Sequence, residues 1–221
     1  MNLNRLTVRE NWFCIGCKAD LARIRTHTLP MAVLWLVVFC TFPSANRAQV
    51  PVYEVTPVES TIKFGVDSSV PIKGTFDKWT ASMKFSSTDV RTGVLEIEIQ
   101  ADSVDTGSGL KNNKLKSKDF FDVKDSPIIT FKSTKVVQTG PNIFDLEGDF
   151  TLRGVTKTEK LTLTSTGKGS PSGSIDGTMA FDRKDYGMNK GIPFIKIANR
   201  VEVNVSLKWK WIGGPPLVFQ Q

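Results

Sequence analysis

The run from Val201 to Trp211 sets Val201, Val203, Val205, Leu207, Trp209 and Trp211 at every second position, with Glu202, Asn204, Ser206, Lys208 and Lys210 between them. Successive side chains of a strand point to opposite faces, so this pattern fits a strand with one face buried and is incompatible with an amphipathic helix. The alternation recurs along the chain. Trp79, Ala81, Met83 and Phe85 share a parity, as do Leu95, Ile97 and Ile99. Phe144, Leu146, Phe150 and Leu152 form another set, followed by Leu161 with Leu163, and by Ile175 with Met179 and Phe181. Turn signals separate the runs: Gly74, Gly93, Thr139–Asn142, Gly167–Gly173 and Lys190–Pro193. One short polar segment, about Ser108 to Asp119, reads as a helix, with Leu110 and Leu115 its large apolar residues. Eight to ten antiparallel strands and one short helix suit an all-β closed barrel or a sandwich. Closure removes sticky edges and can leave a cavity.

The first 48 residues read differently. Arg23 and Arg25 precede the apolar run Leu29–Phe42, which is shorter than the roughly 20 residues a membrane span needs. Pro43, Ser44, Ala45 and Ala48 follow. This order of positive, apolar and small residues is that of a secretory signal, with cleavage expected after Ala48. A lipoprotein reading at Cys40 meets the bulky Phe39 where a small residue is needed. The expected organisation is a leader over 1–48, a barrel domain over 49–212 and an irregular tail over 213–221, exported to the periplasm.

Removing the leader changes what chemistry remains. Cys14, Cys17, Cys40 and His27 all precede residue 49, so the mature chain has neither cysteine nor histidine. A disulfide, a thiolate nucleophile, a Ser-His-Asp triad and an ordinary zinc site are all excluded from it. The formal charge of +7 shrinks as well: 23 basic and 20 acidic residues remain after position 48. No basic stripe interleaved with aromatics is present, which argues against nucleic acid. Asp102, Asp105, Asp119 and Asp122 lack the graded spacing of a calcium loop.

Several phrases in order carry a resemblance: "SVDTGS", "LKSKDFFDV", "SPIITFKSTKV", "GDFTLRGVTKTEKLTL" and "FDRKDYGM". Together they resemble the YceI-like family of secreted bacterial proteins, from Tyr53 to Trp211. The family's phrases map onto Ser103–Thr106, Ser117 with Asp119–Phe121, Phe131, Gly148 and Thr151–Thr156. The resemblance implies an extended, lipocalin-like antiparallel barrel of about eight strands with a long apolar pocket. It also implies a polyisoprenoid or isoprenoid-quinone ligand, bound without catalysis and without any other cofactor. Many members carry a His-Ser pair and a second histidine. Here Glu59 with Ser60, and Asp67, stand at those positions, which puts any histidine contact to a head group in doubt.

Candidate lining residues are Trp79, Met83, Phe85, Ile97, Leu115, Phe120, Phe121, Phe131, Phe150, Met179 and Phe181. Each also reads as plain core, and Phe120 and Phe121 read equally as a plug for one end of the barrel. "LRGVTK" reads as a tight hairpin turn. Asp182, Arg183, Asp185 and Tyr186 read as a solvated loop or a salt bridge rather than acid–base machinery. The expectation is a monomer or homodimer that binds a long-chain isoprenoid lipid, with transient membrane contact. The rivals are an envelope stress or scaffold protein with a packed barrel, and a lipid- or amide-processing enzyme using Tyr186 or a carboxylate.

Overall fold

The structure is a computed structural model that describes residues 49–219. The expected leader and its expected cleavage point, the three cysteines and His27 lie outside the described residues. The alternating runs form strands β1 (Val52–Ser68), β2 (Ile72–Phe76), β3 (Trp79–Phe85), β4 (Gly93–Gln100) and the short β5 (Val104–Asp105). Helix α1 (Gly109–Lys116) follows, then β6 (Ile128–Gln138), β7 (Ile143–Leu152), β8 (Val155–Ser165), β9 (Ser172–Asp182) and β10 (Ile197–Gly213). The antiparallel sheet runs β10-β9-β8-β7-β6-β4-β3-β1, and β10 pairs back onto β1 to close an eight-stranded barrel. β2 and β5 extend from the second half of β1 as a side ribbon. Among the described residues no helix is long and apolar enough to cross a membrane.

Two bulges keep apolar side chains inside where the sequence changes parity. On β1, Tyr53 and Val55 face inward before Thr56, whereas Ile62, Phe64 and Val66 do so after Thr61. Their partners on β10 keep one parity throughout: Trp211, Trp209, Val205, Val203 and Val201. The residues inserted between Thr56 and Thr61 absorb the switch, as a bulge does by leaving residues unpaired. Glu59 sits there at φ +63, and the Ser60 hydroxyl donates to Thr56 O at 2.5 Å and accepts from Lys208 N at 2.8 Å. On β6 the shift falls between Ser133 and Lys135. The buried Ser133 hydroxyl accepts from Leu95 N at 2.9 Å, so this polar group is satisfied inside the wall.

The phrases of the family resemblance have structural causes. Asn112 on α1 accepts from Thr106 N at 2.8 Å and from the Thr106 hydroxyl at 2.7 Å, and donates to Asp105 at 3.0 Å. This ties the "SVDTGS" loop to the helix. α1 begins one residue later and ends earlier than the sequence suggests. It buries Leu115 and leaves Leu110 exposed. "LRGVTK" is a two-residue hairpin with Arg153 at φ +55 and Gly154 at φ +71, the positive angles that match strand twist. The Thr151 and Thr156 hydroxyls meet across it at 2.8 Å. Gly148 lets Phe131 lie against the backbone, since a Cβ there would stand 2.7 Å from the Phe131 ring and 2.6 Å from Lys132 O.

On the outer face Glu96 lies between Lys84 (2.7 Å) and Lys132 (2.8 Å). Hydrogen bonds from Lys132 and then Lys84 lower its carboxyl from an ordinary 4.5 to about 2. A depressed carboxylate stabilises the fold above its unfolded value and loses that contribution as pH falls through its folded value. Glu96→Gln should therefore cost a small, salt-sensitive amount of stability at neutral pH. The difference from wild type should vanish between pH 4.5 and about 2 in parallel thermal melts.

Candidate ligand cavity

The barrel is hollow at one end and packed at the other. The hollow lies between the end of β3, the start of β4 and β7, the ends of β6, β8 and β10, and the start of β9. Its volume is about 550 Å³. Alternation supplies its walls: Leu95, Leu146, Leu163, Phe144, Ile175 and Trp209 point inward from successive strands and are buried. Tyr53 closes one side, edge-on to Trp209 at 5.2 Å and to Phe85 at 5.6 Å. Burial pushes its phenol above the ordinary value of 10.0, and a hydrogen bond with the Leu217 backbone partly opposes this. The hydroxyl is therefore neutral at any physiological pH. The rim is formed by the β8–β9 loop, Gly167–Pro171, and by Pro216, Leu217 and Phe219 of the C-terminal segment. Among the described residues Lys168 is the one charged side chain of the lining, and its Nζ stands 4.6 Å from the centre of the Phe219 ring. Such a wall solvates hydrocarbon and offers few groups to a polar ligand.

A YceI-like domain model matches residues 53–209. The chain belongs to the YceI-like family. A UPF0312 protein of Pseudomonas savastanoi is 33% identical over 122 residues, 53% of this chain and 64% of that protein. The aligned stretch thus spans a little under two thirds of that relative. A UPF0312 protein of Vibrio cholerae is 27% identical over 160 residues, 69% of this chain and 85% of its own length. Among solved structures, BcnA of Burkholderia cenocepacia superposes with a TM-score of 0.64 at 24% identity, covering 70% of this chain and all but 1% of its own, since 99% is aligned. A polyisoprenoid-binding domain from Saccharophagus degradans, described as implicated in plant cell wall breakdown, gives 0.59 at 16% identity, with 73% and 99% covered. At these identities the structural likeness establishes the fold.

Within this YceI-like barrel, Met83 and Phe85 border the cavity. Ile97, Leu115, Phe120, Phe121, Phe131, Phe150, Met179 and Phe181 are buried elsewhere in the core, and Trp79 packs partly buried against it. Phe121 packs with Phe64 (5.9 Å) and Phe76 (5.7 Å) beneath α1, and Phe120 is equally buried. The adjacent rings plug that end. Phe150, Phe181 and Tyr186 form a second cluster with centroids 5.1–5.4 Å apart. Leu95, Phe144, Leu146, Leu163 and Ile175 line the cavity without having stood out in the sequence, although they lie in the same alternating runs; Trp209 and Trp211, whose place at the end of the last run reads first as closing-strand packing, line it too. Parity marks them as inward, but not which half of each strand stays unfilled. The tail residues Leu217 and Phe219 had no periodic signal at all.

The remaining polar groups have other occupations. Glu59 is exposed at the β1 bulge, and Asp67 borders a separate outer groove of about 750 Å³ whose lining includes Lys63, Lys73, Asp105, Arg200 and Glu202. That groove is larger, but its mixed charges suit no hydrocarbon. Tyr186 is wholly buried and donates to Glu159 at 2.8 Å. Burial, then Glu159, pushes its phenol far above the ordinary value. Asp185 pairs with Lys157 at 3.1 Å, and Asp182 accepts from Lys184 N at 2.8 Å. Among the described residues no cluster of three or more acidic, histidine or cysteine side chains could hold a metal ion.

Proposed function

We propose that this barrel binds, stores or ferries an amphiphile with an isoprenoid tail, a polyprenyl lipid or an isoprenoid quinone, in the periplasm and without chemical change. The observation that carries this reading is the 550 Å³ hollow, walled by Leu, Ile, Phe and Trp and opening toward a rim with a single charge. At about 30 Å³ per water-sized group, that space takes on the order of 18 carbon-sized groups, or roughly three to four isoprene units. At about 0.8 kcal/mol per buried methylene, such a filling gains on the order of 10 kcal/mol, comparable with the cost of association. Binding energy therefore comes from the tail, and the head group adds selectivity. Membership of the YceI-like family supports the reading, as does likeness to a polyisoprenoid-binding domain. The positive-apolar-small leader supports export. In this reading Tyr186 and the nearby carboxylates have structural roles, as their burial and pairing suggest.

Native mass spectrometry of protein purified from its own host tests the proposal. A copurifying lipid that fragments in five-carbon steps is the expected result. A chain that is empty, and that also fails to take up added prenols, would overturn it and favour a scaffold.

A further inference from the structure

Resting on the reading above, we propose that the C-terminal segment Gly214–Phe219 sets which isoprenoid tails the barrel accepts: with it in place short tails are bound, and long tails must displace it. The segment returns across the mouth instead of leaving the barrel. Gly214, at φ +84, makes the turn, and a Cβ there would stand 2.2 Å from Val50 O. The segment is then docked through an isolated backbone bridge. Val218 N donates to Thr88 O at 2.8 Å, Val90 N donates to Val218 O at 3.2 Å, and Asp89 and Val218 form a parallel bridge. The dock itself is braced, since Asp89 accepts from Arg91 N at 2.9 Å and Thr92 donates to Asp89 O at 2.8 Å.

At this bridge Val218 turns outward, 61% exposed, and its neighbours Leu217 and Phe219 pack against the core. Phe219 lies 6.1 Å from Phe144 and is covered from outside by Lys168. Leu217 and Phe219 thus occupy apolar space at the mouth that a longer hydrocarbon would otherwise fill. The other half of the barrel is packed by the two aromatic clusters, so additional isoprene units can be accommodated only toward the mouth. The docking is held by a few backbone bonds at the edge of the barrel, the kind of local structure that opens at low free-energy cost. Its removal leaves the closed sheet untouched.

The test compares farnesol, a short prenol, with solanesol, a long one, both presented in the same detergent. Binding is read from the fluorescence of Trp209 and Trp211, which line the cavity. The proteins are the full chain, a truncation after Gly213, Gly214→Ala, and the double variant Leu217→Ser with Phe219→Ser, each checked for folding by circular dichroism. The full chain should prefer farnesol, and the variants should shift the ratio of affinities toward solanesol by roughly tenfold or more. In the full chain, solanesol should also deprotect the Val218 and Val90 amides in hydrogen exchange while farnesol does not. A preference unchanged within about twofold in every folded variant would overturn the inference. So would solanesol binding with both amides still protected. If no folded protein binds either prenol, the isoprenoid reading itself fails.

Discussion

Replacing Leu146 with tryptophan should abolish tail binding while leaving the fold as stable as before. Leu146 is buried in the first half of β7 and borders the hollow. The larger ring would displace about five carbon-sized groups of ligand, worth about 4 kcal/mol or roughly a thousandfold in affinity. The protein should tolerate the change, because the indole enters empty space and gains its own contacts there. The same substitution at Leu152, six residues along the same face of β7, should behave oppositely. Leu152 is 1% exposed and does not border the cavity. A tryptophan there overpacks a filled region and should cost about 1–3 kcal/mol or more, with the chain-length preference unchanged in whatever remains folded. Titration with farnesol alongside thermal melts checks both. Normal binding by Leu146→Trp would show that the tail sits elsewhere.

This pair of substitutions marks how far the sequence could be read. Period two identifies Leu146 and Leu152 equally as inward, and it identifies β10 residue by residue, because binary pattern reports the face of a strand. Eight to ten antiparallel strands were legible for the same reason, but the alternation fitted a sandwich as well as a barrel, and the closed barrel of about eight strands was implied by the family phrases. The first half of the barrel was less so. β1 changes parity at the Thr56–Thr61 bulge, so "VYEVTPVESTIKFGV" shows no sustained alternation although both of its halves face the core. The hollow was not legible by position. Whether an inward Phe lines space or fills it depends on what opposes it across the barrel. Phe131 meets Phe150 on the neighbouring strand, and Phe150 in turn meets Phe181 and Tyr186. Those contacts join residues distant in sequence and leave no trace in local spacing. The C-terminal segment was illegible for a further reason: it contributes two side chains, Leu217 and Phe219, too few for any period to emerge.

Arg183 shows the same limit for a charged residue, and its removal should cost a large share of the stability. In sequence it sits in "FDRKDYGM", where charge density suggests exposure. In the fold the chain leaves β9 through a 3₁₀ turn, Arg183–Tyr186, which brings its first and last members, three residues apart, to the inside. Arg183 ends 6% exposed with no carboxylate partner among the described residues. Its Nε donates to Ala198 O at 3.1 Å, and its Nη1 donates to Lys190 O at 3.0 Å and to Met188 O. The guanidinium therefore replaces the backbone partners that the irregular stretch before β10 lacks, and it joins the end of β9 to the start of β10. Arg153 braces the same stretch from the β7–β8 hairpin, donating to Gly187 O at 2.7 Å. A buried acceptor left without its donor costs about 1–3 kcal/mol; the bond to Met188 O is buried and those to Ala198 O and Lys190 O are part-buried, so Arg183→Met should lose about 2–4 kcal/mol. For a domain of this size that corresponds to a fall of roughly 10 °C in melting temperature. Arg183→Lys should recover only part, since a lysine cannot present the planar fork that reaches several carbonyls at once. None of the residues in this network borders the cavity, so prenol affinity measured well below the melting transition should stay within about twofold of wild type. A loss under about 1 kcal/mol would mean that the carbonyls of Met188, Lys190 and Ala198 are already served by solvent. In that case Arg183 would not be what holds the loop to the barrel.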